Sequence, residues 1–282
     1  MKIFAAVGDA ETVRMFYEKT NIKLNYLISY FYLEGQAYRL TDLYRDMISD
    51  LYLDSGAFSV AGGRSKITVT EYVKYLTLYG DRFDEYFNLD DRFDDPEHNL
   101  NNQMYLEEKL QPGAKKPIPV VHDNEDPFAE FQIYANFGHE YIAIGSTNNI
   151  PDDTMKKIKK KFPSVKLHLF GKTSLKELST GYYYSADSKT WADAAGYGDI
   201  LYWDPDENES HKIYMGATNR KDTESDHYKR FAKKDKLDAF LKDIFGFEYN
   251  DLLIRSGNQN REIVNLYYYK QVEDYLTSIE PS

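Results

Sequence analysis

The sequence predicts an α/β protein, a (β/α)8 TIM barrel with a small C-terminal hairpin and helical extension. Three observations lead there. Eight short apolar runs, each as long as one buried strand, recur between residues 3 and 186. Most of them lack a two-residue alternation, which suits strands covered on both faces, as in parallel sheets. The loop after the first run, "AVGDAE", has one glycine and no GxGxxG, GKS or GKT sequence, so the phosphate loop of an open doubly wound sheet is missing.

In order, the runs are "IFAAV" (3–7), "YLISYFY" (26–32), "LYL" (51–53), "YFNL" (86–89), "IPVV" (118–121), "YIAI" (141–144), "KLHLF" (166–170) and "YYYSA" (182–186). The segments between them have room for helices. "TDLYRDMISD" (41–50) sets Leu43 and Met47 four apart, and "TVTEYVKYLTLYG" sets Val69, Val73 and Leu76 on one face with Thr68 or Thr70 as N-cap. "PDDTMKKIKKKF" begins acidic, turns Met155, Ile158 and Phe162 inward and carries its lysines toward its C-terminal end, the polarity a helix dipole favours. "KTSLKELSTG" leaves space for one short helix.

The texture changes after Trp191. "GDILYWDPDENESHKIYMG" reads as a hairpin with an acidic turn, a helix is expected over about 226–245 with Gly246 ending it, and a last helix over about 261–279 carries Val264, Tyr268, Val272, Tyr275 and Ile279 at helical spacing. The expected division is a barrel core over 1–200 and an extension over 201–282 packed upon it.

Composition sets bounds. A chain of 282 residues builds one large core or two small ones. It contains no cysteine, which rules out disulfides and thiolate zinc sites within it. No run reaches membrane-spanning length, and the acidic turn of "MKIFAAVGDAE" is unlike a signal peptide, so a soluble, cytoplasmic protein without a membrane partner is expected. The net charge of -11 denies nucleic acid an attractive overall field and puts the burden of any such binding on a local basic patch.

In a barrel, chemistry collects where the strands end. The candidates there are Asp54, Ser55 and Gly56 after the third run, Asp90 and Asp91 after the fourth, His122 and Asp123 after the fifth, Gly145 and Ser146 after the sixth, Gly171 and Lys172 after the seventh, and Asp187 and Ser188 after the eighth. Convergent carboxylates admit several chemistries. They can hold an oxygen-loving metal (Asp54, Asp90, His122 and Asp187 in a metal-dependent hydrolase), act as a glycosidase pair, or serve as nucleophile and proton carrier of a transglycosylase. Each can also simply cap the helix that follows its strand.

The order of these strand-end motifs resembles the tRNA-guanine transglycosylase superfamily, whose members have a (β/α)8 barrel. The family's Asp-Ser-Gly-Gly-Phe-Gln is here "DSGAFS" (54–59), its Asp-Glu pair before a proline-containing loop is "LDDRFDDP" (89–96), its glycine-rich sixth strand end is "YIAIGST", its glycine after strand seven lies in "LHLFGKT", and its nucleophilic aspartate lies in "YSADSKTW". The likeness covers roughly residues 1–200. Ala57 and Ser59 replace a glycine and a glutamine, the arginine that follows the nucleophile is missing, and the Cys3His zinc subdomain has no counterpart. This is most like the short, zinc-less phage-type relatives that insert 7-deazaguanine bases into DNA inside a bacterial host.

The resemblance implies Asp187 as nucleophile and Asp54 as general acid and base. It implies Asp90, Asp91, Ser55, Gly56, His122 and Gly145 as base-binding residues, with no cofactor and no metal. His122 can equally be a satisfied histidine under a loop. The implied partners are a free 7-deazaguanine and DNA, with tRNA as the alternative. Phosphate contact is expected from "HYKRFAKKDK", through Lys229, Arg230, Lys233 and Lys234, in preference to "KKIKKK", which reads as a solvated helix face. Trp191 either stacks on a base or packs.

Overall fold

A computed structural model of the chain describes residues 1–7, 9–32, 37–57, 67–123, 125–145, 150–216, 226–253 and 257–279. Eight strands form one sheet: β1 Lys2–Ala6, β2 Leu24–Ser29, β3 Ile48–Asp54, β4 Glu85–Tyr86, β5 Val120–Val121, β6 Tyr141–Ile144, β7 Lys166–Leu169 and β8 Ser185–Ser188. They follow the order β4-β3-β2-β1-β8-β7-β6-β5, and every pair is parallel. This is the curled, helix-flanked sheet of a TIM-like fold, but the closing ladder of a full barrel is not made. Between β4 and β5 the described residues form one isolated bridge, Phe87 to Ile118, where the Asn88 N–H donates to the Ile118 carbonyl and the Ile118 N–H to the Tyr86 carbonyl. The sequence explains the short seam. Ile118 stands between Pro117 and Pro119, which have no N–H to extend it.

Alternate residues of the strands divide between two cores. Phe4, Leu27, Tyr52, Phe87, Ile118, Val120 and Ala143 pack together inside the curl. Their strand neighbours, such as Ile3, Tyr26, Leu51, Val121, Ile142 and Leu167, pack outward against the helices.

The helices are α1 Ala10–Thr20, α2 Val69–Tyr79, α3 Pro96–Lys109, α4 Pro127–Asn136, α5 Asp152–Lys161, α6 Leu175–Leu178 and α7 Thr190–Gly196. Thr68 caps α2 in a capping box with Glu71, and Met155 and Ile158 are the buried face of α5. Two expectations shift. Residues 41–50 do not form one helix: a π-helical turn (Arg39–Leu43) and a 3-10 turn (Arg45–Met47) lead into β3, and Leu43 is exposed. The eighth strand starts at Ser185 rather than at the tyrosines before it.

Beyond the barrel strands, β9 Asp199–Asp204 and β10 Glu209–Tyr214 form the expected hairpin, and β11 Asp226–His227 adds to β10 in parallel. Helix α8, Lys234–Phe240, continues as a π-helical turn to Phe245, and Gly246 ends it at φ 66°. Helix α9, Asn258–Ile279, lies against β1, α1, α7 and β9. Polar side chains fix it there. Buried Asn265 accepts from the Leu201 N–H and donates to the carbonyls of Trp191 and Asp199, and buried Arg261 donates to the carbonyls of Ala195 and Leu252. Farther along, Glu273 accepts from the Ile3 N–H and from Asn25. No described helix is long and apolar enough to cross a membrane.

Candidate active site

Asp54 is the last residue of β3, Asp187 lies one residue before the end of β8, His122 follows β5 directly, and Asp90 comes four residues after the end of β4. Four strands thus bring their terminal polar residues to one end of the curled sheet. Asp54 is half-buried, and its Oδ2 accepts from the Gly56 N–H at 3.1 Å. Burial, then the neighbouring charges of Asp90 and Asp187, push its carboxyl up to about 8. Gly56 makes this turn at φ +82°, and a Cβ there would come within 2.6 Å of both Phe31 Cβ and Ser29 Oγ. Its role is to let the chain turn under Asp54. Phe58 and Ser59 of "DSGAFS", like Ser146, lie outside the described residues.

Asp90 is buried, and both of its oxygens have protein partners. Ser55 Oγ, fully buried, donates to Oδ1 at 3.1 Å, and His122 Nε2 stands 2.6 Å from Oδ2. The His122 ring packs on Phe93 with centroids 4.6 Å apart, and its other side meets Gly145, where a Cβ would fall 2.5 Å from Nδ1 and Cε1. The missing side chain of Gly145 therefore makes room for His122. Buried Glu130 of α4 holds the same strand end through the backbone N–H groups of His122 and Asp123, both at 2.7 Å. Neither the sequence motif nor its spacing pointed to Glu130.

Asp91 is not brought into this cluster. It turns to the first turns of α3, where His98 Nε2 and Asn102 Nδ2 each lie 2.9 Å from Oδ1. His98 and Asn102 are four apart and share one helix face, so they take up the carboxylate that follows Asp90. Through Oδ1, Asp91 thus clamps the loop to α3.

Asp187 is held from two sides: its Oδ1 accepts from the Gly171 N–H at 3.1 Å and faces His168 Nε2 at 3.3 Å. His168 is fully buried in β7, within the apolar run "KLHLF". Its Nδ1 lies 2.6 Å from Ser185 Oγ, which also bonds to the Tyr141 hydroxyl.

Of the two readings of Trp191, burial favours packing. It is enclosed, and its indole N–H donates to the Ala6 carbonyl, so it packs into the body of the fold. The basic stretch divides in two. Lys229 and Arg230 are exposed. Lys233 pairs with buried Asp204 at 2.8 Å and with Glu207, and Lys234 pairs with Asp238 at 3.4 Å. The acidic turn of the hairpin thereby neutralises Lys233, and Asp238 of α8 neutralises Lys234. Among the described residues, no group of three or more His, Asp and Glu side chains is arranged to hold a metal ion. No family model and no curated protein matches the sequence.

Proposed function

We propose that the chain is a base-exchanging transglycosylase of the kind the strand-end motifs resemble, replacing guanine in DNA with a 7-deazaguanine. One observation carries the reading: Asp54, raised to about 8, holds its proton at neutral pH beside Asp187, a second carboxylate already gripped by Gly171 and His168. A carboxyl that keeps its proton next to a second, hydrogen-bonded carboxyl is what acid-assisted glycosyl transfer requires.

In this mechanism an oxygen of Asp187 bonds to the anomeric carbon as the bond from that carbon to N9 of guanine breaks. The electron pair goes to the departing base, and Asp54 supplies its proton. The incoming 7-deazaguanine returns a proton to Asp54, attacks the same carbon and releases Asp187 as a carboxylate. A target base in a duplex must first leave the stack, at a cost of a few kcal/mol. The absence of cysteine from these 282 residues, and hence of the Cys3His subdomain, favours DNA over tRNA. The setting implied is the cytoplasm of a bacterial host.

The test supplies labelled guanine or 7-deazaguanine with duplex DNA, single-stranded DNA and unmodified tRNA, using Asp187→Asn as control. Incorporation into DNA that the control lacks is the expected result. Incorporation into tRNA alone would make the tRNA enzyme the better description, and none into any polymer would remove the assignment.

A further inference from the structure

Asp187 sits at the end of a hydrogen-bonded line that runs through the interior of the curled sheet. Tyr141 of β6 bonds to Ser185 of β8, Ser185 Oγ lies 2.6 Å from His168 Nδ1, and His168 Nε2 lies 3.3 Å from Asp187 Oδ1. The Tyr52 hydroxyl adds a further bond to Tyr141. Ser185 and His168 are fully buried, so neither serves as a nucleophile or meets a substrate. Three aromatic rings surround the imidazole, with centroids at 6.1 Å (Phe4), 4.9 Å (Phe87) and 4.7 Å (Phe170).

The chemistry of the ends sets the direction of the line. A carboxylate only accepts, so the ring nitrogen facing Asp187 carries the hydrogen. A neutral imidazole then offers a lone pair at Nδ1, which Ser185 fills by donating, and the Ser185 oxygen in turn accepts from Tyr141. Every donor points toward Asp187. An apolar cage disfavours a charged ring. The reaction adds a second argument: on forming the glycosyl ester Asp187 loses its charge, and an imidazolium would then be left buried without a counter-ion.

We infer that His168 is a positioning residue for Asp187, fixed as its neutral Nε2–H tautomer by Ser185 and Tyr141. With Oδ1 occupied by His168 and the Gly171 N–H, Oδ2 is left as the attacking oxygen. The role in catalysis rests on Asp187 being the nucleophile, whereas the tautomer does not.

The experiment has two arms. Long-range proton–nitrogen NMR of the whole chain, with His168→Gln used to assign the signal, reads the tautomer without any substrate. A bare Nδ1 and a protonated Nε2 are expected, and a doubly protonated ring or the opposite tautomer would overturn the inference. In the kinetic arm, Ser185→Ala and His168→Leu slow covalent adduct formation by roughly 100-fold, the cost of a misplaced reacting group, with KM for the base nearly unchanged. His168→Gln, which keeps an N–H donor, recovers part of the rate. Wild-type adduct formation in His168→Leu would overturn the positioning role. Full base exchange by Asp187→Asn would instead overturn the nucleophile assignment and leave the tautomer measurement standing.

Discussion

His122 Nε2 stands 2.6 Å from Asp90 Oδ2, and both side chains are buried. The pair depends on the bare backbone of Gly145, where any Cβ would collide with the imidazole. Gly145→Ala should therefore act through His122. Overpacking of this kind costs about 1–3 kcal/mol, and base affinity should fall as it does in His122→Ala. The check is a double-mutant cycle read by base binding: the combined Gly145→Ala and His122→Ala variant should bind about as weakly as either single one, and additive losses would contradict the coupling.

Asp54 makes a prediction about pH. Its carboxyl is raised from 3.8 to about 8 in the folded chain. Between these values the native state holds a proton that the unfolded state has released, so stability falls as pH rises through this window. Asp54→Asn removes the dependence. Its melting temperature should exceed that of the wild type near pH 8, with the gap closing toward pH 4. Base expulsion, which uses the Asp54 proton, should likewise decline in the wild type above about pH 8. A gap that does not change with pH would contradict the shift.

Asp187→Asn should abolish the covalent adduct, because a carboxamide does not form the glycosyl ester. The expected loss of exchange is at least about 1,000-fold. The amide oxygen still accepts from Gly171, so stability should stay within about 1 kcal/mol of the wild type. Adduct trapping on denaturing gels and a urea titration report the two quantities separately.

The basic stretch should separate into binding and structural halves. Neutralising exposed Lys229 and Arg230 should weaken DNA binding and flatten the log–log salt dependence by roughly two units. Lys233→Gln should instead lower the melting temperature, since it leaves buried Asp204 without its cation. Equal salt slopes in the Lys229/Arg230 double variant and the wild type would move the DNA contact elsewhere.

Much of the strand layer is legible because the apolar runs are short, and four of them are closed by a polar residue: Asp54, Asp90, His122 and Asp187. The capping box at Thr68 and Glu71 marked α2 just as directly. Helices α3 and α4 lack so regular an apolar spacing, but each begins with an aspartate cap followed by proline, Asp95-Pro96 and Asp126-Pro127, a start signal in its own right. The carboxylates could be placed at strand ends from sequence, but the direction of a side chain in a loop could not. Asp90 and Asp91 are neighbours, and only the position of α3 decides which of them leaves the site. His168 was hidden for a different reason. In "KLHLF" it shares the inward parity of Phe170, and a histidine inside a barrel shows its purpose only when the residues opposite it are known.

The bond from the Ile3 N–H to Glu273 spans 270 positions, and Asn25 reaches the same carboxylate. β1 and α9 are thus separated by most of the described chain, yet they complete one another. Until α9 docks, the outward face of β1 has no partner from that helix, so the cover of β1 waits on a contact across 270 positions. Contacts this distant slow folding and lengthen the time for which strand surface is open to aggregation. Refolding yield should consequently depend on α9 far more than its distance from Asp187 would suggest.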